Sequence, residues 1–195
     1  MSRKMIVLAA ICLVLMLSAA ITLRSRSKEP ARPADDTQTA GDKLIAGYKQ
    51  WTRVNPKPAL VLARVSLLCA APTLTPASSS PHGPDKYITV YVNEIGRHAM
   101  MEERAPHFPQ GSVIVKEKLK TPESPTPELL TVMIKRERGY NPESGDWEYM
   151  VVDGNGQSIQ ARGKLENCQS CHLMEKNTDY VSRNYLPVEV QKALK

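Results

Sequence analysis

The sequence has few of the residues that build metal sites and disulfide networks. The 195 residues include 4 cysteines, 4 histidines and a single phenylalanine, Phe108. One Cys-x-x-Cys spacing exists and no His-x₃-His spacing exists, so a zinc site, which needs a second ligand pair, is not supported. No strand-helix-strand pattern leads into the cysteine pair, so a thioredoxin-like redox dithiol is not supported either.

Acidic residues are absent before Glu29, and this uneven distribution explains the basic balance of the chain. The sequence has 26 basic and 20 acidic residues, for a formal net charge of +6. Five of the basic residues precede Glu29, which leaves 21 basic against 20 acidic residues in the remainder. The folded part is therefore close to neutral, and a nucleic-acid-binding surface is not supported.

One long apolar run, Met5–Leu23, follows a basic start. Its length lies between that of a signal-peptide core and that of a short transmembrane helix. A small-residue cleavage site is present at Ser18-Ala19-Ala20, but the positive charges directly after the run favour an uncleaved anchor. Residues 1–28 are therefore predicted to be a signal peptide or membrane anchor, residues 29–41 a flexible tether, and residues 42–195 an exported domain.

Residues 168–172 read Cys-Gln-Ser-Cys-His, the attachment sequence of a covalent c-type haem. Two thiols three positions apart on one helical turn can add to the two vinyl groups of a haem, and the histidine that follows can ligate the iron. Cys168 and Cys171 are therefore predicted as thioether anchors for one haem c, and His172 as the proximal ligand. Haem attachment of this kind takes place outside the cytoplasm, which agrees with export to the periplasm.

Short strand-forming segments, bounded by turn-forming residues, fill most of the chain after residue 85. The first of them alternates, with Ile88, Val90 and Val92 on one face and Tyr87, Thr89 and Tyr91 on the other. These segments predict five strands: Lys86–Val92, Ser112–Leu119, Leu129–Lys135, Trp147–Val152 and Ser158–Arg162. One helix is predicted over Asp42–Thr52 and another, carrying the haem motif, over Leu165–Glu175. The expected fold is mainly β (α+β), an antiparallel sheet or small open barrel with a few helices.

Several segments around these strands resemble the cytochrome P-460 family, which includes the cytochrome c′-β proteins. The similar segments are Tyr87–Asn93, Phe108–Lys118, Gly145–Met150, Gly163–Asn167, Asp179–Val181 and Tyr185–Pro187. The resemblance covers about residues 42–187 and implies a β-rich, periplasmic homodimer with a five-coordinate haem. It implies one of two functions. The enzymes of the family oxidise hydroxylamine, with nitric oxide chemistry, through a haem cross-linked to a lysine; the c′-β proteins lack the cross-link and bind NO and CO in an apolar pocket.

The cross-linking lysine is expected between the first long strand and Phe108. Residues 93–107 contain no lysine, and the nearest lysines are Lys86 and Lys116. Lys116 is interpreted, together with Lys118 and Lys120, as a one-sided solvated row on a strand. These observations favour an open-site haem that binds NO or a related small ligand over a hydroxylamine or nitric oxide oxidoreductase.

Other candidate site residues lie in or near the same segment. Arg97 and Arg104 either pair with haem propionates or solvate the segment, and Phe108 either caps the distal pocket or packs in the core. A sixth iron ligand would instead make the protein a low-spin electron carrier with a partner cytochrome. The residues considered for this role are His82, His98, His107, Met100 and Met101, and the carboxylates considered for proton transfer are Glu102 and Glu103.

Overall fold

The computed structural model of the chain describes residues 43–61 and 86–195. These residues form a seven-stranded antiparallel sheet together with short helices, so the predicted mainly β architecture is confirmed. The strands are β1 (Thr52–Arg53), β2 (Ala59–Val61), β3 (Lys86–Val92), β4 (Val113–Leu119), β5 (Leu129–Lys135), β6 (Trp147–Asp153) and β7 (Ile159–Gly163). The α-helices are α1 (Glu94–Met101), α2 (Glu166–His172) and α3 (Val188–Ala193), and 3-10 turns occupy Tyr48–Gln50, Pro142–Ser144 and Leu173–Thr178.

The sheet has the order β1-β3-β4-β5-β6-β7, so the strands from β3 onward pair with their neighbours in sequence. Strands β1 and β2 pair with opposite ends of β3. Between them, the Asn55 side chain takes the place of a strand backbone. Its Oδ1 accepts a hydrogen bond from the Val90 amide at 2.9 Å, and its Nδ2 donates to the Ile88 carbonyl at 2.8 Å. This buried amide closes the gap in the edge of the sheet because it satisfies backbone groups that no strand reaches.

Alternation along the strands gives the sheet two apolar faces. The front face is defined here by Val90, Ile114, Met133, Trp147 and Tyr149, which pack with residues of the C-terminal segment such as Val181 and Leu186. The back face is defined by Val113, Val115, Val132, Met150 and Val152, which pack with Ile45 and Tyr48 from the N-terminal side. The C-terminal segment, which contains the haem motif, therefore lies on the front face.

The structure corrects the sequence-based prediction in two segments. The helix predicted over Asp42–Thr52 is interrupted, because Gly47 adopts a left-handed conformation with φ of 71° between the helical residues 43–45 and a 3-10 turn. The segment 93–108, interpreted as a connection, contains helix α1. Asn93 caps this helix, since its Oδ1 accepts a hydrogen bond from the Gly96 amide at 3.1 Å.

Within residues 43–61 and 86–195, no helix is long and apolar enough to cross a membrane. The predicted signal peptide or anchor (1–28) and the predicted tether (29–41) lie outside the described residues, so both stay predictions. His82, one of the residues considered as a sixth ligand, lies outside them as well.

Candidate haem site

A cavity of about 300 Å³ opens between the front face of the sheet and the segment 167–185. Most of its lining is apolar and comes from Val90, Met100, Ile114, Met133, Tyr149, Met174, Val181 and Tyr185. The polar groups on the lining are those of Lys116, Thr131, Asn167, Glu175 and Ser182, and the wall is completed by Cys168, Cys171 and His172. An apolar cavity with a few converging polar groups is typical of a cofactor site.

Helix α2 brings the residues of the haem motif onto one wall of this cavity. It begins directly after Leu165, whose carbonyl accepts a hydrogen bond from the Cys168 amide at 3.0 Å. Because Cys168 precedes Cys171 and His172 by three and four positions, all three side chains lie on the same side of the helix. Both cysteines are half-buried and neither is in a disulfide. The two thiols and the imidazole therefore meet at one site, as haem attachment requires.

His172 is held in the protonation state that an iron ligand needs. Its Nδ1 lies 2.7 Å from the Tyr180 carbonyl oxygen, and because a carbonyl can only accept, Nδ1 carries the hydrogen and donates it. The lone pair of Nε2 is thereby left for a metal. Burial lowers the pKa of His172 to about 4, so the imidazole is neutral at pH 7. The Tyr149 ring packs beside it, with ring centroids 5.5 Å apart.

Lys116 lines the same cavity, which corrects its interpretation as part of a solvated row. Alternation along β4 places Val115 on the back face and Ile114 and Lys116 on the front face. Burial is the main cause that lowers the pKa of His172, and the positive charge of Lys116 lowers it further. Among the described residues that line the cavity, Lys116 is the one lysine. Lys116 shares the phase of the apolar Ile114, but Lys118 shares it too, so only packing distinguishes the lysine that lines the cavity.

The other predicted contacts of the haem are placed away from the cavity lining. Phe108 has 0% exposure and packs edge-on against Trp147 in the core, with centroids 5.4 Å apart. Arg97 lies at the surface, where its Nη1 donates to Glu102 Oε1 at 2.8 Å, and Arg104 is exposed. The contact of these two arginines with haem propionates stays a prediction.

Of the described residues considered as a sixth ligand, only Met100 lines the cavity. His98 and His107 lie at the surface, with side chains 64% and 87% exposed. Met101 is partly buried and packs against the front-face core. A second histidine ligand is therefore not supplied by the described residues, and Met100 is the one described candidate for a sixth ligand that lines the cavity.

The carboxylates singled out in the sequence also lie away from the cavity lining. Glu102 binds Arg97, and Glu103 accepts a hydrogen bond from the His107 amide at 3.0 Å. Among the described residues, the carboxylate that lines the cavity is Glu175, which the sequence did not single out. It follows the haem motif in the 3-10 turn Leu173–Thr178, where no spacing rule distinguishes it from a surface residue.

Arg183 gives a test of whether these residues fit a haem. Its Nε donates to the Met100 carbonyl at 3.1 Å and its Nη1 to the Glu103 carbonyl at 2.6 Å. Its Nη2 is buried and has no hydrogen-bond partner within the described part of the chain. An unsatisfied guanidinium nitrogen suits a carboxylate such as a haem propionate, and the neighbouring Ser182 lines the cavity. Arg183 itself is not among the cavity-lining residues, so the fit to a haem depends on the two thiols, the neutral imidazole and the apolar walls.

The fold and the site together define a haem protein built on an antiparallel sheet, distinct from the small helical cytochromes and from four-helix bundles. The family model for cytochrome P460 matches residues 45–183, well over half of the sequence, and the chain belongs to the cytochrome P460 family. This confirms the family resemblance of the sequence, and the family implies a haem cofactor. A comparison with curated proteins gives no match.

Proposed function

We propose that this protein is an exported c-type haem enzyme of the P-460 type, which oxidises hydroxylamine at an open axial position. Cys168 and Cys171 would hold the haem by thioether bonds, and His172 would ligate the iron. The observation that carries the proposal is the position of Lys116, which lines the same cavity as these three residues. The resemblance implies such a lysine in the enzymes. Residues 93–107, where it was expected, contain none, but Lys116 offers a lysine from the neighbouring strand.

The residues around the cavity suit an oxidation that releases protons and electrons. When bound, the haem supplies an iron that binds the small ligand and accepts electrons. Oxidation of hydroxylamine to nitric oxide removes three electrons and three protons, so a proton acceptor is needed, and Glu175 is the carboxylate on the cavity lining. Leu173 and Met174 expose apolar surface next to His172, with 49% and 81% exposure, where a partner cytochrome could take up the electrons.

The apolar lining of the cavity supports a second function, binding of NO without turnover. Val90, Ile114 and Met133 offer no hydrogen bond to a bound ligand, and small diatomic gases bind well in such surroundings. In this case Lys116 would stay unmodified. A third function, electron transfer with Met100 as sixth ligand, predicts a low-spin ferrous spectrum and no binding of added NO.

Replacement of Lys116 distinguishes the first two functions. In the wild-type protein we expect a strongly red-shifted ferrous Soret band and a haem peptide joined to the Lys116 peptide, with a mass two hydrogen atoms below the sum of the two separate peptides. An oxidant such as dioxygen or peroxide would take up these two hydrogen atoms when the bond forms. In Lys116→Leu we expect the Soret band of an ordinary high-spin haem c and a loss of hydroxylamine oxidation by roughly 10- to 100-fold, as for other groups that tune a metal centre. Optical spectra, peptide mass spectrometry and steady-state rates measure these effects.

Lys118→Leu is the matched control, because Lys118 lies on the same strand and the same phase but is not among the cavity-lining residues. It should keep the wild-type spectrum and rate. An ordinary high-spin ferrous spectrum in the wild-type protein, shifted by NO and unchanged in Lys116→Leu, would contradict the enzyme and support NO binding. A low-spin spectrum that becomes high-spin in Met100→Leu would support electron transfer.

We also propose that the protein acts in the periplasm as a homodimer. The support is the apolar segment Met5–Leu23 after a basic start, the extracytoplasmic chemistry of haem c attachment and the resemblance to a family of dimers. Cell fractionation with detection of the haem band would test the compartment. A haem band recovered with the cytoplasmic fraction would contradict export, and light scattering of the purified protein would test the dimer.

A further inference from the structure

A tight turn at Asp179 and Tyr180 carries the carbonyl group that binds the proximal histidine. Both residues have left-handed backbone conformations, with φ of 53° and 63°. Residues with a Cβ atom rarely adopt this conformation, and two in succession are rarer still, so the surrounding structure must hold the turn in place. The Tyr180 carbonyl oxygen produced by this turn accepts the hydrogen bond of His172 Nδ1 at 2.7 Å.

Asp179 is fixed by hydrogen bonds to three other parts of the chain. Its Oδ1 and Oδ2 accept hydrogen bonds from Lys135 Nζ at 2.7 and 2.6 Å, and Oδ2 also accepts one from the Phe108 amide at 2.8 Å. Its backbone carbonyl accepts a hydrogen bond from Trp147 Nε1 at 2.7 Å. The side chains of Lys135 and Asp179 are only 7% and 10% exposed, so this ion pair is largely removed from water.

Lys135 reaches Asp179 from the last residue of β5, on the front face of the sheet. Its ammonium group lies 5.0 Å from the centre of the Trp147 ring, which restricts its position further. The Lys135–Asp179 ion pair therefore connects the sheet to the turn. The turn in turn binds His172 through Nδ1, the ring nitrogen that would not ligate the iron. A substitution cannot remove the main-chain carbonyl of Tyr180, but it can release the turn that aims it.

We infer that Lys135 and Asp179 are positioning residues that set the orientation and electron-donating strength of His172 as an iron ligand. The inference rests on the proposed haem site. A hydrogen bond from the second ring nitrogen raises the basicity of a metal-bound imidazole, which strengthens its bond to the metal. Release of the turn should therefore weaken the iron–histidine bond and stabilise the ferrous state.

The test is the ferrous iron–histidine stretching band in resonance Raman spectra, together with the reduction potential, of haem-loaded full-length protein. In Lys135→Met and in Asp179→Asn we expect the band at lower frequency and the potential shifted to more positive values. Lys135→Gln, which keeps a donor of similar length, should show smaller shifts in the same direction. If the first two variants do not accumulate as folded protein, Lys135→Gln decides the matter by the same measurements.

Glu148→Gln provides the matched control. Glu148 is a similarly buried carboxylate, which binds Arg136 and Arg162 at 3.0 and 2.8 Å, and strand alternation places it on the back face. The Glu148→Gln substitution should lower the free energy of unfolding without changing the frequency of the iron–histidine band or the reduction potential. Folded Lys135 and Asp179 variants with the wild-type band and potential would overturn the inference. A wild-type protein with no iron–histidine band would instead contradict the proposed open axial position of the haem.

Discussion

Protein in which both Cys168 and Cys171 are replaced by alanine is expected to lose covalently bound haem completely when it is produced with the maturation machinery for c-type haem. In the proposed site each thiol would supply one thioether bond, and both line the cavity that contains the His172 imidazole. Haem staining after denaturing electrophoresis measures the covalent fraction. The single variants should keep haem through one thioether bond, with an altered pyridine haemochromogen spectrum.

Ser170→Ala is the control for this experiment. Ser170 stands between the two cysteines, is exposed, and donates its hydroxyl hydrogen to the Asn167 carbonyl at 3.1 Å. This variant should bind haem as the wild type does. The double alanine variant could instead keep covalent haem and lose it only when Lys116 is replaced as well. This result would show that the lysine attaches haem without the thioether bonds, and it would contradict the expectation that covalent attachment requires the two cysteines.

Replacement of Trp147 by alanine is expected to destabilise the folded domain by about 3–5 kcal/mol, a large part of the ~5–15 kcal/mol that typical domains possess. Trp147 has 0% exposure and packs against Phe108 in the front-face core. Its Nε1 also donates to the Asp179 carbonyl, so the substitution leaves a cavity and removes one support of the turn that binds His172. Urea denaturation followed by circular dichroism measures the free energy of unfolding.

Trp51→Ala tests whether this loss depends on the position rather than on the residue type. Trp51, the other tryptophan of the chain, is half-buried at the margin of the back-face core. The Trp51 side chain buries less apolar surface than that of Trp147, so its truncation to alanine loses less of the free energy of burial. We therefore expect less than half of the destabilisation caused by Trp147→Ala. Equal losses for the two variants would contradict the assignment of Trp147 to the centre of the core.

Strand alternation predicts the sheet well because it depends on local sequence alone. Strands β3 and β5 have the bounds expected from the pattern, β4 and β6 differ from it by one residue at one end, and β7 differs by one residue at each end. Most of these strands are rich in β-branched and aromatic residues and have clear turn residues at their limits, so burial and local preference agree. The agreement extends to the haem motif, whose helix begins one residue after the expected Leu165.

Helix α1 is the element that the pattern does not predict, and its stability comes from contacts across the fold. Gly96 lies so close to the sheet that an added Cβ would be 2.9 Å from Val92 Cγ2 and 3.1 Å from Ser112 Cβ. Ala99 and Met100 are buried against the front-face core. A glycine within eight residues weakens a helix by itself, so packing, rather than intrinsic preference, stabilises α1.

The sequence by itself determined the haem motif, the compartment prediction, the mainly β class and the family, because each of these depends on residues that are close together in the chain. Tertiary structure alone decided that Lys116 lines the cavity and that Glu102 and Glu103 do not. It also brought Lys135 to Asp179, 44 positions away, and His172 to the Tyr180 carbonyl across a left-handed turn. These contacts form because strands and turns pack together in space. They join residues that are far apart in the sequence, and no local sequence pattern predicts which distant residues will meet.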